Sequence, residues 1–214
     1  MPNARSDYYT ANIFPRERDF IIFVEGNIFS YNPRAQKVKL EKFNKDFTPY
    51  YMIAKGDTII GVVCKSPLIM LTAPSAIMSY SLRTLELLQK RRGGLFGFYE
   101  VRQIGRRDRF AASTIWGGGG VIFDSALRIT GRPAIPKGTR NFGIDPSGRL
   151  LFAPNVFSGV MSILDIKTNK LLPQTRFVGK GARSLNEAPG GKLILGNSCG
   201  LIEIDTNKFL ADIK

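Results

Sequence analysis

The chain has 214 residues, 43% of them hydrophobic, with 31 Lys and Arg against 17 Asp and Glu, a formal charge of +14, two cysteines and no histidine. The missing imidazole excludes Ser-His-Asp and Cys-His catalysis and any His-ligated metal, and the apolar content excludes a disordered chain. No uninterrupted apolar stretch is long enough to span a bilayer as a helix, and the first twenty residues lack the apolar core of a signal peptide.

Five units succeed one another along the sequence. The first shows a turn and strand, FPRERDFIIFVEG, then NIFSYN (27–32) and KVKLEKF, without a convincing innermost strand. The second has TPYYMIA as an innermost strand, then AKGDTIIGVVC, AIMSYS (76–81) and LELL. Residues 82–92, LRTLELLQKRR, are the best helical candidate, and their first half is read as an outer strand. The third unit runs GFYEVRQI, IGRRDRFAAST, GVIFD (120–124) and LRI. The fourth runs RNFGI, DPSGRLLFAP, MSILD (161–165) and KLL; the fifth runs RSLNE, PGGKLILGN, LIEID (201–205) and a closing outer strand, KFL.

The closing residues Asn32, Ser81, Asp124, Asp165 and Asp205 recur at intervals that shorten from 49 to 40 residues. Asn, Ser and Asp suit such corners because their side chains accept from backbone amides just ahead. Four strands per unit of about forty residues is the period of a propeller blade, which must stack on its neighbours to bury both faces. The expected fold is therefore an all-β propeller of about five four-stranded blades, either complete or a five-blade piece of a larger ring. The blades run roughly over 8–44, 45–92, 93–136, 137–177 and 178–214 of one domain. A β-sandwich or barrel with similar strand spacing is the rival.

The last two units, GTRNFGIDPSGRLLFAPN…SGVMSILDIKTNKLL and VGKGARSLNEAPGGKLILGNSCGLIEIDTNK, resemble the YVTN-type (YncE-like) β-propeller repeat family. Ala153-Pro154-Asn155 and Gly196-Asn197 stand where that family has "VaN", and Leu164-Asp165 and Ile204-Asp205 stand at its "iD". Earlier units match only in spacing and turn type. The resemblance implies a binding scaffold with no assigned active site, and relatives in the periplasm or on cell surfaces.

Charge is uneven. Between Lys90 and Arg140 eleven Lys and Arg stand against Glu100, Asp108 and Asp124, a positive patch expected near the third blade and its junction with the fourth. Such a field attracts an acidic protein, another anionic polymer or nucleic acid. No nucleic-acid recognition motif accompanies it, so nucleic-acid binding is expected to be non-specific. The plainer reading is a solvated basic rim.

Propellers bind at a channel mouth, where loops from one blade's outer strand to the next blade's inner strand converge. Here those loops place Arg140, Asn141, Arg183 and Ser184 as ligand-binding candidates, the two Arg as two-point anion clamps. The alternative for both is a bond that only ties blades together. Trp116, the single tryptophan, precedes four glycines whose spacing lacks the Lys-Ser/Thr of a phosphate loop. They read as a hairpin, with Trp116 either packed against it or an exposed ligand-binding contact. The recurring Asp residues read as turn caps rather than calcium ligands. The favoured function is a non-catalytic binding or scaffold module without metal or cofactor. The alternative is a lactonase-like metal-dependent hydrolase using Glu100, Glu187, Asn141 and Asn186 at the channel mouth. Unclosed blade edges are a further route to self-association.

Overall fold

Alternation of apolar and polar residues with a period of two sends one side of each strand to a neighbour and leaves the other for the opposite face. In the stretch ANIFPR, Asn12 and Phe14 are buried while Ala11, Ile13 and Pro15 are exposed. The computed structural model describes residues 11–211 apart from 25–26, 44–47, 65–73, 106–107, 115–117, 174 and 183. Five antiparallel sheets succeed one another along the chain. The first holds β1 (Ala11–Arg16), β2 (Asp19–Val24), β3 (Asn27–Asn32) and β4 (Lys37–Phe43); the second holds β5 (Thr48–Lys55), β6 (Thr58–Cys64), β7 (Pro74–Ser81) and β8 (Leu87–Phe96). The third holds β9 (Phe98–Gln103), β10 (Phe110–Thr114), β11 (Gly120–Phe123) and β12 (Ile129–Gly131). In the fourth, β13 (Gly143–Ile144), β14 (Leu150–Pro154), β15 (Val160–Asp165) and β16 (Lys170–Leu171) are joined by β17 (Arg176–Phe177), which also pairs with β15. The fifth holds β18 (Ser184–Ala188), β19 (Lys192–Asn197) and β20 (Gly200–Asp205), and the short helix α1 (Thr206–Ala211) comes directly after it.

This is an all-β, propeller-like architecture, and it corrects three expectations. The first unit does possess an innermost strand: β1 pairs with β2 from Ala11↔Val24 to Arg16↔Asp19. Its PR dipeptide reads in isolation only as a turn, but Pro tolerates a sheet's edge strand because it lacks only an outward amide. The outer strand of the second sheet is β8, and residues 82–84 are the turn before it. Leu82 and Leu85 are buried there as plugs rather than as strand residues. The expected last outer strand, KFL, is part of α1, so the fifth sheet has three strands among the described residues.

The five corners behave alike. Asn32 Oδ1 accepts from the Ala35 amide and Ser81 Oγ from the Thr84 amide. Asp124 Oδ1 accepts from the Arg128 amide, Asp165 Oδ1 from Lys167 and Thr168, and Asp205 Oδ1 from Asn207. Each polar side chain thus holds the turn at the end of its sheet's third strand. The end of the molecule carrying these corners is termed lower.

Apolar packing falls into four clusters, each between consecutive sheets. Phe14, Ile21 and Phe23 of the first sheet meet Met52, Ile59 and Met78 of the second. Ile60, Val62 and Ile77 meet Phe98, Phe110 and Phe123. Ala111 and Ile122 meet Phe142, Ile144 and Leu151, and Phe152 and Ile163 meet Leu185, Leu193 and Leu195. Alternate residues of one strand therefore serve two interfaces: Ile59 faces the first sheet and Ile60 the third. Among the described residues no such cluster joins the fifth sheet to the first.

Candidate functional site

The inner strands converge on a buried polar cluster. Glu100 of β9 is fully buried. Its Oε1 accepts from Arg102 Nη2 at 2.7 Å and Nε at 2.8 Å, and its Oε2 accepts from the Phe142 amide at 2.7 Å. Arg102 Nη2 also donates to the Leu185 carbonyl at 2.7 Å, reaching from the third sheet to the fifth. Asn141 Nδ2 donates to the Tyr51 hydroxyl at 3.3 Å, reaching from the fourth sheet to the second. Bonds between sheets that are not sequence neighbours require inner strands gathered about a common axis.

Burial pushes the Glu100 carboxyl up to about 7, against the pull of the Arg102 charge, the Phe142 amide, and Asn141. Desolvation of a charge outweighs pairing when the partner's donors are shared among several acceptors. Burial also raises the Tyr51 phenol, whose hydroxyl accepts from Asn141 Nδ2. Asn141 Oδ1 is buried and accepts no hydrogen bond from the described residues.

Arg140 lies at the upper end of this cluster, half-buried. Its Nε donates to the Tyr99 hydroxyl at 2.7 Å, and its guanidinium lies 4.9 Å from that ring's centroid. This is a tie between the third and fourth sheets. Ser184 opens β18, half-buried and opposite Gly196. Arg183 and Trp116 lie outside the described residues. The structure thus gathers Glu100, Asn141 and Arg140 about the axis. Tyr51, Tyr99 and Arg102, which complete the cluster, do not stand out in the sequence. Arg102 counts there as part of the surface patch; its separation from Glu100 by one residue places both side chains on one face of β9, the signal that could have found it.

Below the cluster lies an open pocket of about 630 Å3, lined by Ile53, Arg102, Gln103, Ile144, Asn186 and Glu187. The four residues named for a metal-dependent hydrolase are divided by Arg102, with Glu100 and Asn141 buried on one side and Asn186 and Glu187 facing the pocket. No group of three or more Cys, Asp or Glu that could hold a metal ion occurs among the described residues.

The upper face has a different character. The turn after β14 brings Phe157 up at 56% exposure, and β17 carries Phe177 at 74%. Lys137, Arg176 and Lys180 are exposed around them. Asn155 fixes this arrangement: its Nδ2 donates to the Lys137 carbonyl, and its Oδ1 accepts from the Phe157 and Ser158 amides. Asn197 repeats the device one sheet on, with Nδ2 on the Val178 carbonyl and Oδ1 on the Cys199 amide. Gly159 has φ +73°, and a Cβ there would sit 2.7 Å from the Gly179 carbonyl carbon and 2.9 Å from the Phe177 ring. Gly159→Ala is expected to cost at least about 2 kcal/mol, from left-handed backbone plus a backbone clash; urea unfolding measures it.

No family model matches the chain, and no curated protein matches its sequence. Solved structures do match. A chain of the mitotic checkpoint complex superposes with TM-score 0.68 at 9% identity, covering 97% of this chain and 69% of its own length. A chain of hydrazine synthase from Kuenenia stuttgartiensis gives 0.63 at 14% identity, covering 86% and 54%. The computationally designed Ika8 protein gives 0.62 at 8%, covering 89% and 56%. The checkpoint and hydrazine synthase structures include propeller folds. At these identities the likeness is one of fold, and the chain spans little more than half the length of the designed protein and the hydrazine synthase chain.

Proposed function

We propose that this chain is a non-catalytic binding module, a propeller of the YVTN kind, whose upper face takes a protein partner rich in acidic and apolar side chains. The observation that carries the reading is the segregation of charge between the two ends. The described upper loops of the fourth and fifth sheets, residues 132–142, 155–159, 172–173, 175–182 and 197–200, carry Arg132, Lys137, Arg140, Arg176 and Lys180 and no Asp or Glu. The carboxylates are spent at the lower end, where Asp124, Asp145, Asp165 and Asp205 hold turns. Cations gathered in adjacent loops that hold no Asp or Glu set up a positive field that draws an acidic partner. Phe157 and Phe177 supply the apolar anchors on which binding energy concentrates, since buried aromatics dominate interfaces while rim charges mainly steer. The central Glu100, Arg102 and Arg140 are occupied with one another and with Tyr99, which suits a scaffold's axis.

Selection against a displayed random-peptide library tests this. Enriched peptides are expected to carry Asp or Glu beside aliphatic or aromatic residues. The F157A/F177A variant is expected to bind them at least about tenfold more weakly, as two anchor truncations together remove more than about 1.4 kcal/mol. Doubling the salt concentration should slow association and leave dissociation nearly unchanged. Binding to heparin or single-stranded DNA that matches peptide binding, ignores both Phe substitutions and shows a steep salt slope would replace this reading with that of a simple polyanion-binding rim.

A further inference from the structure

We infer that the outward face of the first sheet is a dimer interface, occupied by the same face of a second copy of this chain. The inference is independent of the upper-face reading. It starts from the four apolar clusters, which among the described residues fill each gap between consecutive sheets and leave the outward faces of the first and fifth sheets without one.

The register of the first sheet sorts its side chains. Phe14, Ile21, Phe23 and Ile28 point to the second sheet. The other face carries two cross-strand rows. One runs Ile13, Ile22, Phe29, Leu40 and the other Pro15, Phe20, Tyr31, Val38, each residue opposite the next in the pairing. No charged residue interrupts either row. Ile13 is 58% exposed, Leu40 53% and Val38 64%. Contiguous apolar exposure of this kind marks an interaction site.

The chemistry of the face selects its occupant. A surface with eight uncharged side chains in register leaves any charge placed on it desolvated and unpaired, so the partner face must be apolar too. The other end of the molecule does not qualify. The outward face of the fifth sheet carries Lys192, Glu203 and Asp205, and the rows Asn186–Ile194–Glu203 and Ala188–Lys192–Asp205 cross it. A head-to-tail stack would bury those charges against Ile and Phe. First face on first face buries none, and it is the isologous, self-complementary arrangement that closes at two copies.

The area suffices. Four strands about 4.8 Å apart and six residues long at about 3.3 Å each make a face of roughly 400 Å2 in projection. With side-chain relief this is on the order of 600 Å2 per copy, and two copies reach about 1,200 Å2, the lower end of stable interfaces. Packing would repeat what the four internal gaps already do, two twisted sheets face to face at about 10 Å.

Sedimentation velocity on the whole chain at about 50 µM should show a dimer, in the micromolar range typical of so modest an interface. The I13K/L40K variant, with circular dichroism of the parent, should be monomeric. L201K, which changes the exposed Leu201 on the fifth sheet's outward face, should leave the dimer intact. Raising salt should tighten the dimer, because two +14 chains repel, whereas salt slows upper-face binding; the two readings therefore fail separately. Hydroxyl-radical footprinting of the unmodified chain guards against a misfolded variant. Protection of Phe20 and Tyr31 should fall on dilution. A monomeric parent, a dimer that survives I13K/L40K or is lost in L201K, or protection that does not change with concentration would each overturn the inference.

Discussion

Raising the pH from 5 to 8 is expected to lower the melting temperature of this protein, and Glu100→Gln to remove most of that fall. Burial lifts the Glu100 carboxyl to about 7 in the folded state, against an ordinary value of 4.5. Below the unfolded value both states hold the proton and the stabilisation is fully present. Between the two values only the folded state holds it, so each pH unit costs stability; above the folded value the contribution is gone. The linkage amounts to about 3 kcal/mol across the window, or roughly 6–12 °C for a chain of this size. The window is unusually clean because there is no histidine to titrate inside it. Glu41, Asp108 and Asp124 are all shifted the other way, so their contributions are constant above about pH 5 and lost only in acid. Glutamine keeps one oxygen, for the Phe142 amide, and turns its NH2 toward Arg102; it cannot ionise, so its own stability does not change with pH through this site. Glu100→Ala removes all three bonds and leaves the Arg102 guanidinium partly buried without its acceptor; it is expected to cost about 3–5 kcal/mol at pH 5, a loss that shrinks toward pH 8 as the parent itself weakens. A melting temperature that stays flat from pH 5 to 8 in the parent would show that Arg102 holds Glu100 ionised throughout.

The repeat was legible because its signals are local. Corner residues such as Asp165 and Asp205 act on amides two or three positions away, and the turn DPSG announces the β13–β14 hairpin whatever surrounds it. Strand alternation told which residues would be buried, but not which of two neighbouring sheets each would meet. The axis was illegible for the opposite reason. Tyr51, Tyr99, Arg102 and Asn141 come together across separations of up to 90 residues, and nothing in the local sequence of any one of them points to the others. Arg140 shows the limit: its loop position was readable as a channel mouth, yet the Tyr99 hydroxyl that takes its donors was not. The first innermost strand failed on Pro15, which reads as a breaker until the sheet places it on an edge. The final outer strand failed because TNKFLA satisfies its backbone as a helical turn as readily as by pairing.

Two turn-capping aspartates, Asp145 of the fourth unit and Asp205 of the fifth, test how far burial, rather than residue type, sets the worth of a turn cap. Asp145 is almost wholly buried, and its carboxylate accepts from the Ser147 amide at 2.9 Å, the Arg149 amide at 2.9 Å, and the Leu150 amide. It also takes the Ser147 hydroxyl. Among the described residues Asp205 accepts from one exposed amide, that of Asn207 at 3.1 Å. When Asp145 becomes Ala, the buried Leu150 amide loses its side-chain acceptor where water does not reach, and the hairpin feeding the fourth sheet loses its template. Each orphaned buried donor costs roughly 1–3 kcal/mol, so the expected loss is about 3–4 kcal/mol. At Asp205 water replaces the carboxylate, and Ala costs about 0.5–1 kcal/mol. Asp145→Asn should fall between, because one amide oxygen keeps two of the backbone donors while the new NH2 group confronts the others. Urea unfolding of the three variants against the parent reads these differences at unchanged m-value. Equal losses at Asp145 and Asp205 would mean that the turn, and not the buried network behind it, sets the cost. The fourth sheet's hairpin would then fold on local chemistry alone.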